Sequence, residues 1–247
     1  MSRSNPTTNA PNPAVRWFEW NGEQGTVRYY DKDAKKTIDV GGKFSFILLD
    51  QLGTVGGWHE PSQSGIYSNE VRDTRQDVLL VKSFKGGTIA EGLYKAIRDR
   101  VSVAGGQFVA NCYIAFKQAD NGLAIGSIKF KGAALSAWMD FTKAHRADLY
   151  KKAIAIDGYT EGKKGRVVFR VPMLHLKDLS EDSNNAAIAL DRELQEFLTA
   201  YLARTKRDQV DAAPAAEPGS HEPEYEPPSY RDDDFDRTPL TDDDIPF

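Results

Sequence analysis

A mainly β chain with a few helices, of mixed α+β class, is the fold this sequence predicts, and three observations predict it. Apolar and polar residues alternate through most of the first 180 positions, as in half-buried strands. Only Ile89, Leu93, Ile97 and Val101, and later Leu190, Leu194, Phe197 and Tyr201, recur at the spacing of an amphipathic helix. Seven of the 12 prolines lie after Asp208 and three before Ala14, leaving Pro61 and Pro172 for the stretch between. That stretch is the folded body.

The elements follow in order. Strands are expected over 15–20 and 26–30, where aromatic and β-branched residues alternate with charges, and over 43–49, 66–71 and 78–84, which are apolar and β-rich. A helix over 89–101 comes next, with Gly86-Gly87 and Gly105-Gly106 as turns on either side. In the strand 108–116, Phe108, Ala110, Cys112, Ile114 and Phe116 form the core face and Asn111, Tyr113 and Lys117 the other. A strand over 123–130, a helix over 133–145, strands over 152–159 and 166–174 and a helix over 190–201 complete the body. Gly162-Lys163-Lys164-Gly165-Arg166 reads as a basic hairpin loop rather than a phosphate cradle. Three strands, a helix and two strands is the order of an OB-fold, so an OB-fold-like barrel with extra strands and helices is expected over 15–207.

Charge divides the chain as proline does. The formal charge is -4, yet the last 40 residues hold 13 acidic residues against Arg231 and Arg237, or -11, and the other 207 carry +7. Residues 208–247, rich in Pro, Glu, Ala and Asp, have little to bury and are expected to be a disordered acidic tail, as is the polar segment 1–14. An acidic tail on a basic body points to nucleic acid. With Cys112 the one cysteine, no intrachain disulfide forms, which favours a reducing compartment. The longest apolar run, Phe46 to Leu49, falls far short of the roughly 20 residues of a spanning helix. The N-terminal residues lack the apolar stretch of an export signal, so a cytoplasmic protein is expected.

Catalysis finds little support. His59, His145, His175 and His221 are far apart and there is no cysteine pair for zinc, so neither metal nor other cofactor is expected. No glycine pair is followed by the Lys-Ser/Thr of a phosphate-binding loop. Asp31, Asp33 and Asp39 suit a nuclease's metal ligands less well than a lysine-flanked hairpin turn. A non-enzymatic protein is expected.

Basic residues interleaved with aromatics are what a single strand of DNA requires, because cations track phosphates while flat rings stack on unpaired bases. Arg16-Trp17-Phe18-Glu19-Trp20 and Arg28-Tyr29-Tyr30 offer Phe18, Trp20, Arg28 and Tyr30 as candidates by alternation. Tyr113 and Lys117, and Lys129 and Lys131 opposite Ile128 and Phe130, extend the set.

The chain closes with Leu240-Thr241-Asp242-Asp243-Asp244-Ile245-Pro246-Phe247 and a free carboxylate, and Asp232-Asp233-Asp234-Phe235-Asp236 is an imperfect copy upstream. Over Asp242, Asp243, Asp244, Ile245, Pro246 and Phe247 this ending resembles the tail tip of bacterial single-stranded-DNA-binding proteins. The body is larger than that family's domain, and the whole is more similar to phage-encoded single-stranded-DNA-binding proteins, which join a divergent OB-fold to such a tail. The resemblance implies protection of single-stranded DNA, without sequence preference, in phage replication and recombination in a host bacterial cytoplasm. It also implies that the tip docks on replication, recombination and repair proteins through the terminal ring, proline and carboxylate. The bacterial family's tetramer and stacking residues do not transfer to so different a body. A strand-annealing recombination protein, a nuclease with a docking tail, and an adaptor that binds no DNA are the rivals.

Overall fold

The computed structural model describes residues 11–204, of which 49% are strand and 25% helix, so the chain is mainly β. The acidic tail and its docking tip, and positions 1–10 of the N-terminal segment, lie outside the described residues. The packed body starts earlier than residue 15: Ala14 is buried, and Asn12 Nδ2 donates to the Tyr113 hydroxyl at 3.4 Å.

Eleven strands and three α-helices follow one another among the described residues. They are β1 (Arg16–Asn21), β2 (Thr26–Asp31), β3 (Lys36–Gly41), β4 (Lys43–His59), β5 (Ser64–Ser68), β6 (Leu79–Ser83), β7 (Gly87–Gly92), α1 (Tyr94–Val103), β8 (Gly106–Lys117), β9 (Leu123–Lys131), α2 (Gly132–Ala144), β10 (Ala153–Lys164), β11 (Val167–Lys177) and α3 (Glu181–Leu202). Two differences from expectation have local causes. Ile89 belongs to β7, so the helix that its four-residue recurrence suggested begins at Tyr94. Strand β4 continues ten residues past the expected end, through Gly53, Gly56 and Gly57. A Cβ on Gly57 would strike the Gly105 carbonyl, so this glycine permits a close backbone approach inside a strand instead of ending it.

The sheet runs β3-β2-β1-β9-β8-β4-β5-β6-β7. Its pairs are antiparallel except β1 with β9. Strand β4 makes the sheet fork. It pairs with β8 from Phe46 to Gly57, with β10 over Lys43 to Ile47, and with β5 over Gly56 to His59. β11 pairs with β10 alone and continues with it as a two-stranded arm beyond β4.

Three cores result. In the first, inward side chains of β1, β2, β4, β8, β9, β10 and β11 surround a common interior with α2 against it. There Trp138 stacks on Phe130 with ring centroids 4.8 Å apart, and its indole N–H donates to Gln51 Oε1 at 2.8 Å. The interior is clasped where the arm meets the β1–β2 turn. The Arg170 amide donates to the Gly22 carbonyl at 2.7 Å, and its own carbonyl accepts the Trp20 indole N–H at 2.9 Å. The Tyr159 ring lies on Gly25, where any Cβ would collide with it.

The second core lies on the opposite face of β4, β8 and β9, where Leu52, Tyr113 and Ile125 meet Leu194, Phe197 and Leu198 of α3. Helix α3 starts with a Ser180 side chain accepting from the Ser183 amide and with Glu181 and Asp182 in its first turn, both favourable at a helix N-terminus. It is tied to β4 by Asp50, whose carboxylate takes both Arg72 Nη groups at 3.0 and 2.8 Å and Gln195 Nε2 at 2.9 Å. The third core joins β5, β6 and β7 to α1 through Ile66, Leu79, Val81, Ile97 and Val101.

Candidate nucleic-acid interface

Strand register decides which candidates meet. Arg28 pairs with Glu19, Glu19 with Lys129, and Lys129 with Asn111, so these four side chains form one row across β2, β1, β9 and β8. Phe18, Trp20, Val27, Ile128 and Phe130, one position away, all point into the first core, so the row lies on the other face, with Arg28, Glu19 and Lys129 half-buried and Asn111 fully buried at its β8 end. Lys131 belongs to the same face, its Nζ 3.8 Å from Glu19 Oε2. So does Tyr30, two residues from Arg28 on β2 and half-buried.

Glu19 organises these cations. Its Oε1 accepts from Arg28 Nε at 2.7 Å and lies 2.6 Å from Arg28 Nη2, while both side chains stay about a third exposed. Trp17, beside Glu19 on this face, is half-buried, and Lys32 Nζ stands 5.3 Å from its ring centroid. A ring with a cation over its face can receive a stacked base and a phosphate together.

Three of the expected stacking or contact residues are placed otherwise. Phe18 and Trp20 are 3% and 4% exposed and cannot stack on a base, a correction to the expectation of exposed aromatics. Phe18 instead packs at 4.7 Å from Phe44 and 5.0 Å from Phe116, because in Trp17-Phe18-Glu19-Trp20 the glutamate shares its face with Trp17. Tyr113 lies on the non-interior face, as expected, but that face is itself buried beneath α3, and Tyr113 is 1% exposed. Its hydroxyl donates to Glu70 Oε2 at 2.9 Å, and Asn111 Nδ2 donates to Glu70 Oε1. Burial first, and the Glu70 charge second, push the phenols of both Tyr113 and Tyr201 well above their usual range, so both stay protonated. Lys117 is exposed, six residues along β8 from Asn111, and so about 20 Å from the row.

Alternation along a strand did not reveal two further groups of cations. Lys163, Lys164 and Arg166 cluster at the tip of the β10–β11 arm, whose Arg170 holds it against the β1–β2 turn. Lys143, Arg146, Lys151 and Lys152 flank the exposed Tyr150 in sequence from the end of α2 to the start of β10, with Asp148 the one acid in that segment and Lys152 paired to Asp178 at 3.0 Å. Both lie in or beside turns, where clustering in sequence was the available signal. By contrast, α3 carries Glu181, Asp182, Asp191, Glu193 and Glu196 against Arg192, a net -4. It covers part of β4, β8 and β9 with an acidic surface, and the Arg28, Lys129 and Lys131 cations lie on β2 and β9.

Among the described residues no group of three or more His, Cys, Asp or Glu side chains is arranged to hold a metal ion. Asp31 accepts the amides of Asp33 and Ala34, and Asp39 those of Gly41 and the Thr26 hydroxyl, so these carboxylates serve turns and a cross-strand bond. No described helix is long and apolar enough to cross a membrane. No family model, curated protein or solved structure matches the chain.

Proposed function

We propose that the protein coats single-stranded DNA without sequence preference during replication or recombination, as a non-enzymatic phage-type binding protein whose acidic tail recruits partner proteins. The observation that carries the proposal is the partly exposed row Arg28–Glu19–Lys129 with Lys131, Tyr30 and Trp17 around it. It offers cations for phosphates and partly accessible rings for bases on one face of the sheet.

Topology supports the same reading. β4, β8 and β9 form an antiparallel meander, α2 follows, and β10 returns to the free edge of β4 before β11 pairs with it. A three-strand meander, a helix and a hairpin that rejoins the first strand is the order of an OB barrel. In that reading β1, β2 and β3 are an N-terminal addition that carries half of the basic row, and β5 to α1 elaborate the connection between the first two barrel strands. Strand β9, which bears Lys129 and Lys131, is then the third of the barrel, and strands two and three carry the oligonucleotide-binding face in such folds. The basic β10–β11 tip occupies the other binding loop.

The deciding experiment is a fluorescence titration of the full chain with poly(dT) and with duplex of equal length. Preference for poly(dT), with an affinity that falls steeply as salt rises, is expected. Equal affinity for the duplex, or no dependence on salt, refutes the proposal.

A further inference from the structure

A second aromatic surface lies on the sheet beyond the basic row, where β4 meets the elaboration β5 to β7. Phe84, just after β6, is 44% exposed, and its ring stacks on that of Tyr67 with centroids 4.4 Å apart and planes 18° from parallel. The Phe84 ring rests on Gly65, where a Cβ would stand 3.2 Å from it, so the glycine makes room for a flat side chain against the backbone. Trp58 pairs with Gly65, the Phe84 amide donates to the Gly65 carbonyl, and Tyr67 pairs with Lys82. Trp58, Tyr67, Lys82 and Phe84 therefore share one face of these strands. The opposite face, with Ile66 and Val81, is covered by α1 in the third core.

Register carries this face to the basic row. Lys131 pairs with Val109, Gln107 lies two residues along β8 and pairs with Gly56, and Gly56 pairs with Tyr67. Lys131 and Tyr67 are thus on the same face, three strands and roughly 16 Å apart. Charge differs between the two ends. Around the rings, Lys82 and Lys85 are matched in number by Glu60 and by Glu91, which stands opposite Leu80 on the same face. Glu70, just beyond β5, already accepts from Asn111 and Tyr113. In the row, by contrast, Arg28, Lys129 and Lys131 outnumber Glu19. Flat rings amid balanced charge suit bases, and an excess of cations suits phosphates. We propose that a single strand whose phosphates lie on the basic row continues across the sheet and stacks its bases on Phe84, beside Tyr67 and Trp58. The inference rests on the single-strand reading and adds to it a stacking site outside the barrel strands. Paired bases in a duplex do not offer their faces, so the elaboration gives the protein a means of discriminating single strands.

The test titrates the full chain with oligo(dT) of about 16 nucleotides, the upper span of one OB fold, at several salt concentrations. Phe84→Leu keeps an apolar side chain over Gly65 but removes the flat ring, and Phe84→Trp restores one. One stacked base is worth a factor of roughly 5 to 150 in affinity. Phe84→Leu should lose that factor equally at every salt concentration, because no phosphate contact is removed and the slope of log affinity against log salt stays that of the unaltered chain. Phe84→Trp should bind as the unaltered chain does, and the urea midpoints of all three should agree. A Phe84→Leu chain that binds as tightly as the unaltered one overturns the proposal, as does a loss that flattens the salt slope or one that Phe84→Trp shares. A Phe84→Leu chain that sediments differently from the unaltered chain without DNA places a second copy on this surface and overturns it too. The two readings fail separately. An unaltered chain that does not bind oligo(dT) refutes the single-strand reading and this inference with it, whereas binding that is indifferent to Phe84→Leu refutes this inference alone.

Discussion

Glu19→Gln should make the protein bind single-stranded DNA more tightly, and the geometry sets how much. Glu19 is the anion within the basic row, 2.6 Å from Arg28 and 3.8 Å from Lys131, so in the free protein it occupies two cations that phosphates would otherwise use. Each phosphate neutralised on a single strand contributes about -0.7 to the slope of log affinity against log salt. Releasing both cations therefore steepens the slope by up to about 1.4, or a gain of roughly 25-fold in affinity for each tenfold dilution of salt. The fold should hardly notice, since a pair exposed to this degree contributes about 0–1 kcal/mol. The opposite perturbation, Arg28→Gln with Lys129→Gln and Lys131→Gln, removes three phosphate partners and should flatten the slope by up to about 2. Poly(dT) titrations at five salt concentrations, with urea midpoints measured alongside, separate the cases. Refutation is specific: if neither variant changes the slope, the row does not contact DNA. A Glu19→Gln protein that loses stability at constant slope would make the ion pair structural.

Trp20→Ala should cost about 3–5 kcal/mol of stability, because the indole is buried and bonded to the Arg170 carbonyl; a variant with an unshifted urea midpoint contradicts its place in the core. Alkali should unfold the protein progressively. The Tyr113 and Tyr201 phenols are raised above their usual value of 10.0 in the folded state, so their contribution is complete below pH 10 and is lost as pH rises above it. Up to about 1.4 kcal/mol per pH unit disappears for each phenol, and Tyr113→Phe with Tyr201→Phe should flatten the profile of urea midpoint against pH. Truncation after Arg207 removes 13 acidic and two basic residues and should raise DNA affinity, most in dilute buffer, because a tethered polyanion no longer competes for the body. Deleting Phe247 alone should leave DNA affinity unchanged while reducing capture of replication and repair proteins from bacterial lysate; an unchanged set of captured proteins refutes the reading of the tip.

Alternation made most strands legible, and it sorted β8 residue by residue: Phe108, Ala110, Cys112, Ile114 and Phe116 all line the interior. Which of two faces meets solvent is a different question, and period two does not answer it. In β1 both faces bear aromatics, and the discriminating residue is Glu19, whose charge requires water or a partner and so places Trp17 on the face away from the first core, half-buried against the second, and sends Phe18 and Trp20 into the first. Tyr113 failed for another reason. A sheet with helices on both sides has two buried faces, and a polar tip such as a phenol is buried at little cost when a carboxylate such as Glu70 accepts from it. The apolar stripe Leu190, Leu194, Phe197 and Tyr201 did hold that information, because so long a helix must cover something, and the non-interior face of β8 was the apolar surface without a partner. The cations show the same limit. Lys129 and Arg28 are 101 positions apart and meet only because parallel pairing sets β1 beside β9, a long-range choice that neither segment encodes by itself. The basic row assembled from β2, β1 and β9 is thus a property of the register, and substitutions that shift the register of β1 should disperse it even where every basic residue is retained.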